Sequence, residues 1–521
     1  MAYPIRIYLL SSLLLLGLVG CAGQPKHIER TPSTAFDRPE TTSAGRFLQP
    51  DIEHHPGQSG FTLLESGSSA FRARNAMARI AEKTLDAQYY VWEDDDTGRM
   101  LASQLLSAAE RGVRVRLLLD DVNLHGRDFG AAALDLHPNI EVRFFNPFVD
   151  RDSKWLEFAT DLSRLNHRMH NKAFIMDSAF AVMGGRNIGD HYFGVSPDLN
   201  FRDLDLLVAG PAAGEIAKSF DLFWNSQWAI PVAAVADDLP TPEEGRRLRK
   251  KLKRWVADNE ARFPYKIDQK KEDVYGRLEK LRHRLIWADA EIVYDDPDQK
   301  VETDTGYQGV RPRLVEVAQQ ATQEILIEAA YMIPREAGID NLGSVRDRGV
   351  RVRVLTNSMA TNDVAAAFVG YRRYRKELLE NGVELYELRP DLGSQRKFWA
   401  LIASRSTASL HSKVAVVDRS IVYIGSYNSD PRSAEINTEI ALLIDSPELA
   451  EQVIQFMEVG IDPSNSFHLV LEKEDPDDSG HIVWIGEENG VQVRLESDPH
   501  AGFWRPVSAW FISFLPIEDQ L

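Results

Sequence analysis

The sequence predicts an α/β protein built from two homologous halves around one shared site. Three observations lead there. Strand-like apolar runs alternate with amphipathic helix-like runs, the pattern of α/β units on a buried sheet. The hexapeptide Arg111-Gly-Val-Arg-Val-Arg116 returns as Arg348-Gly-Val-Arg-Val-Arg353, 237 positions later. A longer pattern around His170 returns around His411, 241 positions later. Offsets agreeing within four residues indicate duplication of a domain-sized unit, not a short-period solenoid.

The N-terminus reads as a targeting segment. Arg6 precedes an apolar stretch from Ile7 to Gly20. It is shorter than the roughly twenty residues that span a bilayer, so it fits a signal-peptide core. It ends in Leu18-Val19-Gly20-Cys21, which resembles the bacterial lipobox, and Cys21 is the only cysteine. One cysteine rules out an intramolecular disulfide and a cysteine-ligated zinc site. Lipidation of Cys21 would place the protein on a membrane surface in the bacterial cell envelope. Ala22, rather than Asp, follows Cys21; by resemblance to Gram-negative lipoproteins this implies the periplasmic face of the outer membrane.

The 521 residues carry a net charge of −18, with 44% hydrophobic and 26% charged residues. That balance is globular, and its acidity argues against a general nucleic-acid binder. Six segments are expected: signal peptide 1–20, flexible tether 21–45, first half 46–234, a helical basic segment 235–300, second half 301–465, and a C-terminal extension 466–521 with an amphipathic helix. In the first half, Leu85–Trp92 and Val113–Leu119 read as strands around a helix at Gly98–Arg111. In the linking segment, Leu248, Leu252 and Trp255 form a narrow apolar stripe on a basic helix. That helix either packs on the protein or lies on anionic lipid. Phe503–Leu515 is aromatic enough to dock on the protein or to touch a membrane.

The duplicated pattern carries the chemistry. His170-Asn-Lys172-Ala-Phe-Ile-Met-Asp177 and His411-Ser-Lys413-Val-Ala-Val-Val-Asp418 are both His-x-Lys-x4-Asp. Each is followed by a glycine turn and an asparagine, Gly184-Gly-Arg-Asn187 and Gly425-Ser-Tyr-Asn428. In a strand, alternate side chains share a face, so each His and Lys point the same way. Two such sets face to face would give two ammonium groups and two amides, a cradle for a phosphate. One neutral imidazole would attack phosphorus while the other, protonated, gives its proton to the departing oxygen. The lysines supply the positive charge, so no metal and no other cofactor is expected.

This pattern resembles the phospholipase D superfamily, in which two α/β halves with mixed β-sheets pack around one shared active site. Segments such as Ser163–Lys172, Gly184–Asp190, Val383–Leu388, Leu355–Ser358 and Asn362–Val364 are similar to the C-type bacterial cardiolipin synthases. The resemblance implies His170 as nucleophile and His411 as general acid, then base. It implies Lys172, Lys413, Asn187, Asn428 and Ser426 as phosphate contacts, with Asp177 and Asp418 in the catalytic set chiefly to organise it. It also implies a histidine-orienting carboxylate in each half, Asp203 and Glu439. Gly185 stands where the second half has Ser426, so one hydroxyl is missing and the halves are not equivalent.

The same motif pair serves phosphatidyltransferases, phospholipase D hydrolases, and nucleases or phosphodiesterases. A non-catalytic envelope-binding lipoprotein is a further reading, which the retention of both His and both Lys argues against. The lipobox and the acidic charge favour phospholipid substrates. So do the aromatic and basic residues before each motif, Lys154-Trp155 with Phe158 and Arg396-Lys397-Phe398-Trp399. The expectation is cardiolipin formation, with phosphatidylglycerol as acceptor and phosphatidylethanolamine or phosphatidylglycerol as donor. No nucleic acid is expected as partner, and the resemblance leaves room for an accessory protein.

Overall fold

The structure, a computed structural model, describes residues 28, 30–124, 126–149, 151, 162–267, 270–298, 308–390, 406–474 and 478–499. Cys21, the aromatic and basic segments at 154–158 and 396–399, and Phe503–Leu515 lie outside the described residues.

The first half contains β1 (Ser59–Leu64), β2 (Thr84–Tyr89), β3 (Arg114–Asp120), β4 (Ile140–Phe145), β5 (Ala173–Met176), β6 (Phe180–Gly184), β7 (Leu199–Arg202), β8 (Asp205–Ala209) and β9 (Ala229–Pro231). Its sheet runs β9-β4-β3-β2-β5-β6-β8-β1, parallel from β4 to β2 and antiparallel elsewhere. The linking segment supplies β10 (Ile286–Tyr294). The second half contains β11 (Glu324–Ala329), β12 (Arg351–Asn357), β13 (Glu384–Leu388), β14 (Thr407–Leu410), β15 (Lys413–Val417), β16 (Ile421–Gly425), β17 (Ile440–Asp445), β18 (Ser466–Glu472), β19 (His481–Glu488) and β20 (Val491–Leu495). Its sheet repeats the first: β18-β13-β12-β11-β15-β16-β17-β10, extended by β19 and β20. The fold is thus the expected α/β arrangement of two halves with mixed sheets.

The two hexapeptide repeats have a local cause. Gly112 and Gly349 sit at φ +93 and +86, closing the helices Asp96–Glu110 and Arg335–Asp347 as only glycine does without strain. The alternating Val-Arg-Val that follows enters β3 and β12. The central strands are buried on both faces, which suits their apolar runs. One face of each sheet meets the other half in a shared core of Ile175, Met183, Leu206, Val416, Ile424 and Leu442, with the helices Pro211–Trp224 and Pro447–Ile461 packed into it.

β10 belongs to both sheets. Its start, Ile286–Ala288, pairs with β1, and Asp289–Tyr294 pairs with β17. Among the described residues the linking segment is therefore helical over Pro242–Asn259 and Lys271–Arg282, and Ile286–Tyr294 is a strand. The helix Pro242–Asn259 packs on the protein: Val256 is buried, Arg249 donates to the Ala133 carbonyl, and the Arg99 guanidinium lies over Trp255. The segment 21–45, expected as a tether, is laid down where it is described. The buried guanidiniums of Arg143 and Arg116 take the carbonyls of Thr31 and Ser33, because buried donors need acceptors. A helix begins at Ser43. The C-terminal extension starts as three strands, β18 to β20. No helix among the described residues is long and apolar enough to cross a membrane.

Candidate active site

Each His-x-Lys stands at the mouth of a buried strand, β5 or β15. The intervening residues point away, as strand periodicity requires. Asn171 accepts from the Thr438 hydroxyl, and Ser412 donates to Glu328. His170, Lys172, His411 and Lys413 are all buried.

The halves exchange partners at the site. β7 of the first half pairs in parallel with β14 of the second. The His411 amide donates to the Arg202 carbonyl at 2.8 Å, and the His170 amide donates to the Thr438 carbonyl at 2.9 Å. The next residue in each case is a carboxylate, Asp203 or Glu439. Asp203 accepts from His411 Nδ1 at 2.7 Å, and Glu439 accepts from His170 Nδ1 at 3.0 Å. Each carboxylate thus serves the histidine of the other half. An ionised carboxylate only accepts, so Nδ1 carries the proton and Nε2 is left with its lone pair. Tyr90 stands edge-on to His170, and Tyr192 and Phe201 flank His411.

The electrostatics follow from two buried lysines close together. Burial and the Lys172 and Lys413 charges push the His170 imidazolium well below its ordinary range. Burial, with Lys413, brings His411 down to about 4 even though Asp203 opposes it. Burial also lowers Lys172 to about 7, and Lys413 moves the same way. Each lysine Nζ donates to its own histidine carbonyl at 2.5 Å. Two buried ammonium groups beside two imidazoles are a donor set suited to an oxyanion such as phosphate.

A family model described as "Cardiolipin synthase, PLD-like domain" matches residues 76–224 and 314–459. Cardiolipin synthase C of Escherichia coli K12 is 39% identical over 471 residues, covering 90% of this chain and 98% of that protein. The chain belongs to the phospholipase D superfamily, close to the C-type cardiolipin synthases. Cardiolipin synthase of Geobacillus kaustophilus HTA426 is 26% identical, covering 81% of this chain and 72% of that one. The solved phosphatidylserine synthase of Haemophilus influenzae Rd KW20 shares the fold, with a TM-score of 0.53 at 13% identity over 81% of this chain and 92% of its own.

In this member of the phospholipase D superfamily, the remaining expected residues divide. Asn428 lies by the site; its side-chain oxygen has no hydrogen-bond partner among the described residues, and its amide N–H groups are what could donate to an oxyanion. The Asn187 amide is partly engaged: its oxygen accepts from the Val91 amide and its nitrogen donates to the Tyr192 hydroxyl. Ser426, expected at phosphate, donates to Glu439 and accepts the Ile440 amide. Its hydroxyl holds the carboxylate instead. The opposite position has no room for a hydroxyl, since a Cβ on Gly185 would lie 2.1 Å from Asp203 Oδ1. The shorter Asp with Gly and the longer Glu with Ser are two solutions to the same support.

Asp177 and Asp418 correct the expected catalytic set. Both sit at positive φ in the hairpin turns beyond β5 and β15, about 17 Å of strand from the lysines at roughly 3.3 Å per residue. Asp177 accepts the amides of Glu82, Lys83 and Thr84, and Asp418 those of Thr322, Gln323 and Glu324. They fix the entry of the neighbouring strand. The x4 spacing measures a strand and its turn.

Three supports were not read from the sequence. Ser433 donates to Glu439 at 2.6 Å. Asp120 and Asn357, at the ends of β3 and β12, accept the amides of Met169 and Leu410 at 2.8 Å and so pin the residue before each histidine. Their 237-residue offset, that of the hexapeptide, was the available signal.

Proposed function

We propose that this protein is a phosphatidyltransferase that makes cardiolipin from two phospholipids through a phospho-histidine. The reciprocal carboxylate–histidine pairs around two buried lysines carry the reading. They supply two imidazoles with defined tautomers and a cationic seat for phosphate. The lipid class is supported by similarity, over nearly the whole chain, to proteins named cardiolipin synthase.

His170 Nε2 attacks the phosphorus of the donor. The bond from phosphorus to the head-group oxygen breaks, and protonated His411 gives that oxygen a proton. His411 then takes the proton of the acceptor hydroxyl, whose oxygen attacks phosphorus and breaks the P–N bond. The family resemblance favours His170 as the nucleophile, and its carboxylate bond is longer than that of His411, 3.0 against 2.7 Å. Burial and Lys413 favour the neutral form of His411 at pH 7. The negative phosphodiester, arriving between the lysines, raises it into its acid role. Asn428 and the lysines hold the equatorial oxygens. Lipidated Cys21 would hold the acidic protein at the periplasmic face of the outer membrane.

Purified protein with mixed phosphatidylethanolamine and phosphatidylglycerol vesicles tests the reading. Cardiolipin with released ethanolamine or glycerol is the expected result. Phosphatidic acid alone would make the protein a hydrolase, and a phospho-adduct trapped on His411 would reverse the histidine roles.

A further inference from the structure

The two halves differ where the sheet face bearing the lysines continues inward. In the first half Leu85 pairs with Met176 and Ala87 with Phe174, and the register carries on to place Tyr89 beside Lys172. In the second, Ile325 pairs with Val417, Ile327 with Ala415 and Ala329 with Lys413. Three large side chains, Tyr89, Phe174 and Met176, therefore correspond to Ala329, Ala415 and Val417. Tyr89, Phe174 and Met176 are fully buried, with the Tyr89 hydroxyl satisfied by Arg74, and the matching face of the first half keeps a smaller cavity of about 350 Å³ beside Met176, Phe180 and Leu207. In the second half Ile327 replaces Ala87 and Tyr423 replaces Val182, which refills only part of the space. A cavity of about 620 Å³ remains between the sheet and the helices Val310–Gln319 and Arg335–Asp347.

Its chemistry is one-sided. Leu314, Ile325, Ile327, Ala415 and Leu342 form apolar walls, and Lys413 stands at the inner end. Charged side chains Arg311, Arg335, Glu336 and Glu435 belong to the helices around it, and two buried carboxylates, Asp430 and the Arg202-paired Glu328, also line it. From Lys413 to Val417 the floor runs about 13 Å at roughly 3.3 Å per residue. One leaflet of a bilayer is about 15 Å of hydrocarbon, half of the roughly 30 Å core. The volume lies within the usual ligand range of about 300–1,000 Å³.

We propose that this cavity takes one acyl chain of a phospholipid whose phosphate sits at Lys413. The proposal rests on the phosphatidyltransferase reading and deepens it. The complementarity is between an apolar slot ending at an ammonium and a hydrocarbon chain ending near a phosphate. The first half's cavity is about 350 Å³ against about 620 Å³ and is not lined by Lys172, so it is the second half's cavity that runs up to a lysine and grips a chain this way. The two lipids are thereby told apart by their tails and not only by their head groups.

The test uses the whole protein in phosphatidylethanolamine and phosphatidylglycerol vesicles containing a phosphatidylglycerol with a diazirine near the end of one acyl chain. Turnover is measured first, and absence of any phospholipid turnover sinks the transferase reading itself. With turnover present, photolabel on peptides spanning 314–342 or 413–423 is expected, and label only elsewhere overturns the cavity assignment. A second arm uses Ala415→Phe, which installs the first half's residue. It is expected to lower the ratio of long-chain to short-chain phospholipid turnover by about tenfold or more. An unchanged ratio in the folded variant overturns the proposal. If that variant does not fold, the photolabel on the unaltered protein decides.

Discussion

Glu439 shows how much of this site is held by residues that act through the histidines. Its two oxygens accept from Ser426, Ser433 and His170, so its direction is fixed before substrate arrives. Glu439→Gln keeps the shape but offers an amide that no longer enforces the Nδ1–H tautomer. Turnover is expected to fall by about 10²–10⁴-fold with lipid binding nearly kept; steady-state kinetics on mixed vesicles checks it. Lys172 gives a second residue-level prediction. Burial lowers it to about 7, so the ammonium is present below pH 7 and lost above it. Affinity for sulfate, whose charge is constant in this range, is expected to fall as pH rises from 7, by at most about tenfold per unit for this one proton. Calorimetric titration from pH 6 to 9 reads it, and a flat profile would show that Lys172 stays charged.

At the scale of the element, strand β5 and its turn separate chemistry from architecture within a single motif. The histidine and lysine lie at one end and Asp177 at the other. Asp177→Ala leaves three backbone amides at the entry of β2 without their acceptor. It is expected to cost about 1–3 kcal/mol, seen as a lower urea midpoint, with turnover falling only as folded protein is lost. A loss of phospho-histidine formation in fully folded variant would return Asp177 to the catalytic set. The same strand explains what the sequence made legible. His-x-Lys on one face and a buried apolar run are local consequences of a two-residue period, so they can be read directly. The support of His411 by Asp203 spans 208 positions and that of His170 by Glu439 spans 269. The carboxylates are visible as types at a spacing, but their crossing is a tertiary fact. Ser426 was misplaced for the same reason, since its phosphate role assumed a direction that Glu439 overrides.

For the whole molecule, the shared core, the crossed carboxylates and β10 make the halves one unit. The sequence shows the duplication but not this joining, because the whole linking segment 235–300 reads as helical and basic, the residues of β10 included. A fragment of residues 30–284 would retain His170 and Lys172 yet lack Glu439. It would also expose the core face around Ile175 and Met183 and the free edge of β1. It is expected to be inactive and to aggregate. Size-exclusion chromatography and the vesicle assay check this, and turnover by the fragment alone would sink the crossed-support account.

The pairing of β1 with β10 has one more implication. By the pairings of each strand with its own sheet, Ser59 and Ala288 occupy the same position in the two halves, and they pair with one another. A residue facing its own equivalent across antiparallel strands marks a two-fold axis, as in an isologous dimer contact. The edge therefore has the geometry of a contact between two copies, each giving one half-site. Fusing the copies keeps that interface but frees each to change alone. Gly185 against Ser426, and Phe174 against Ala415, are changes that no symmetric dimer of identical chains can hold.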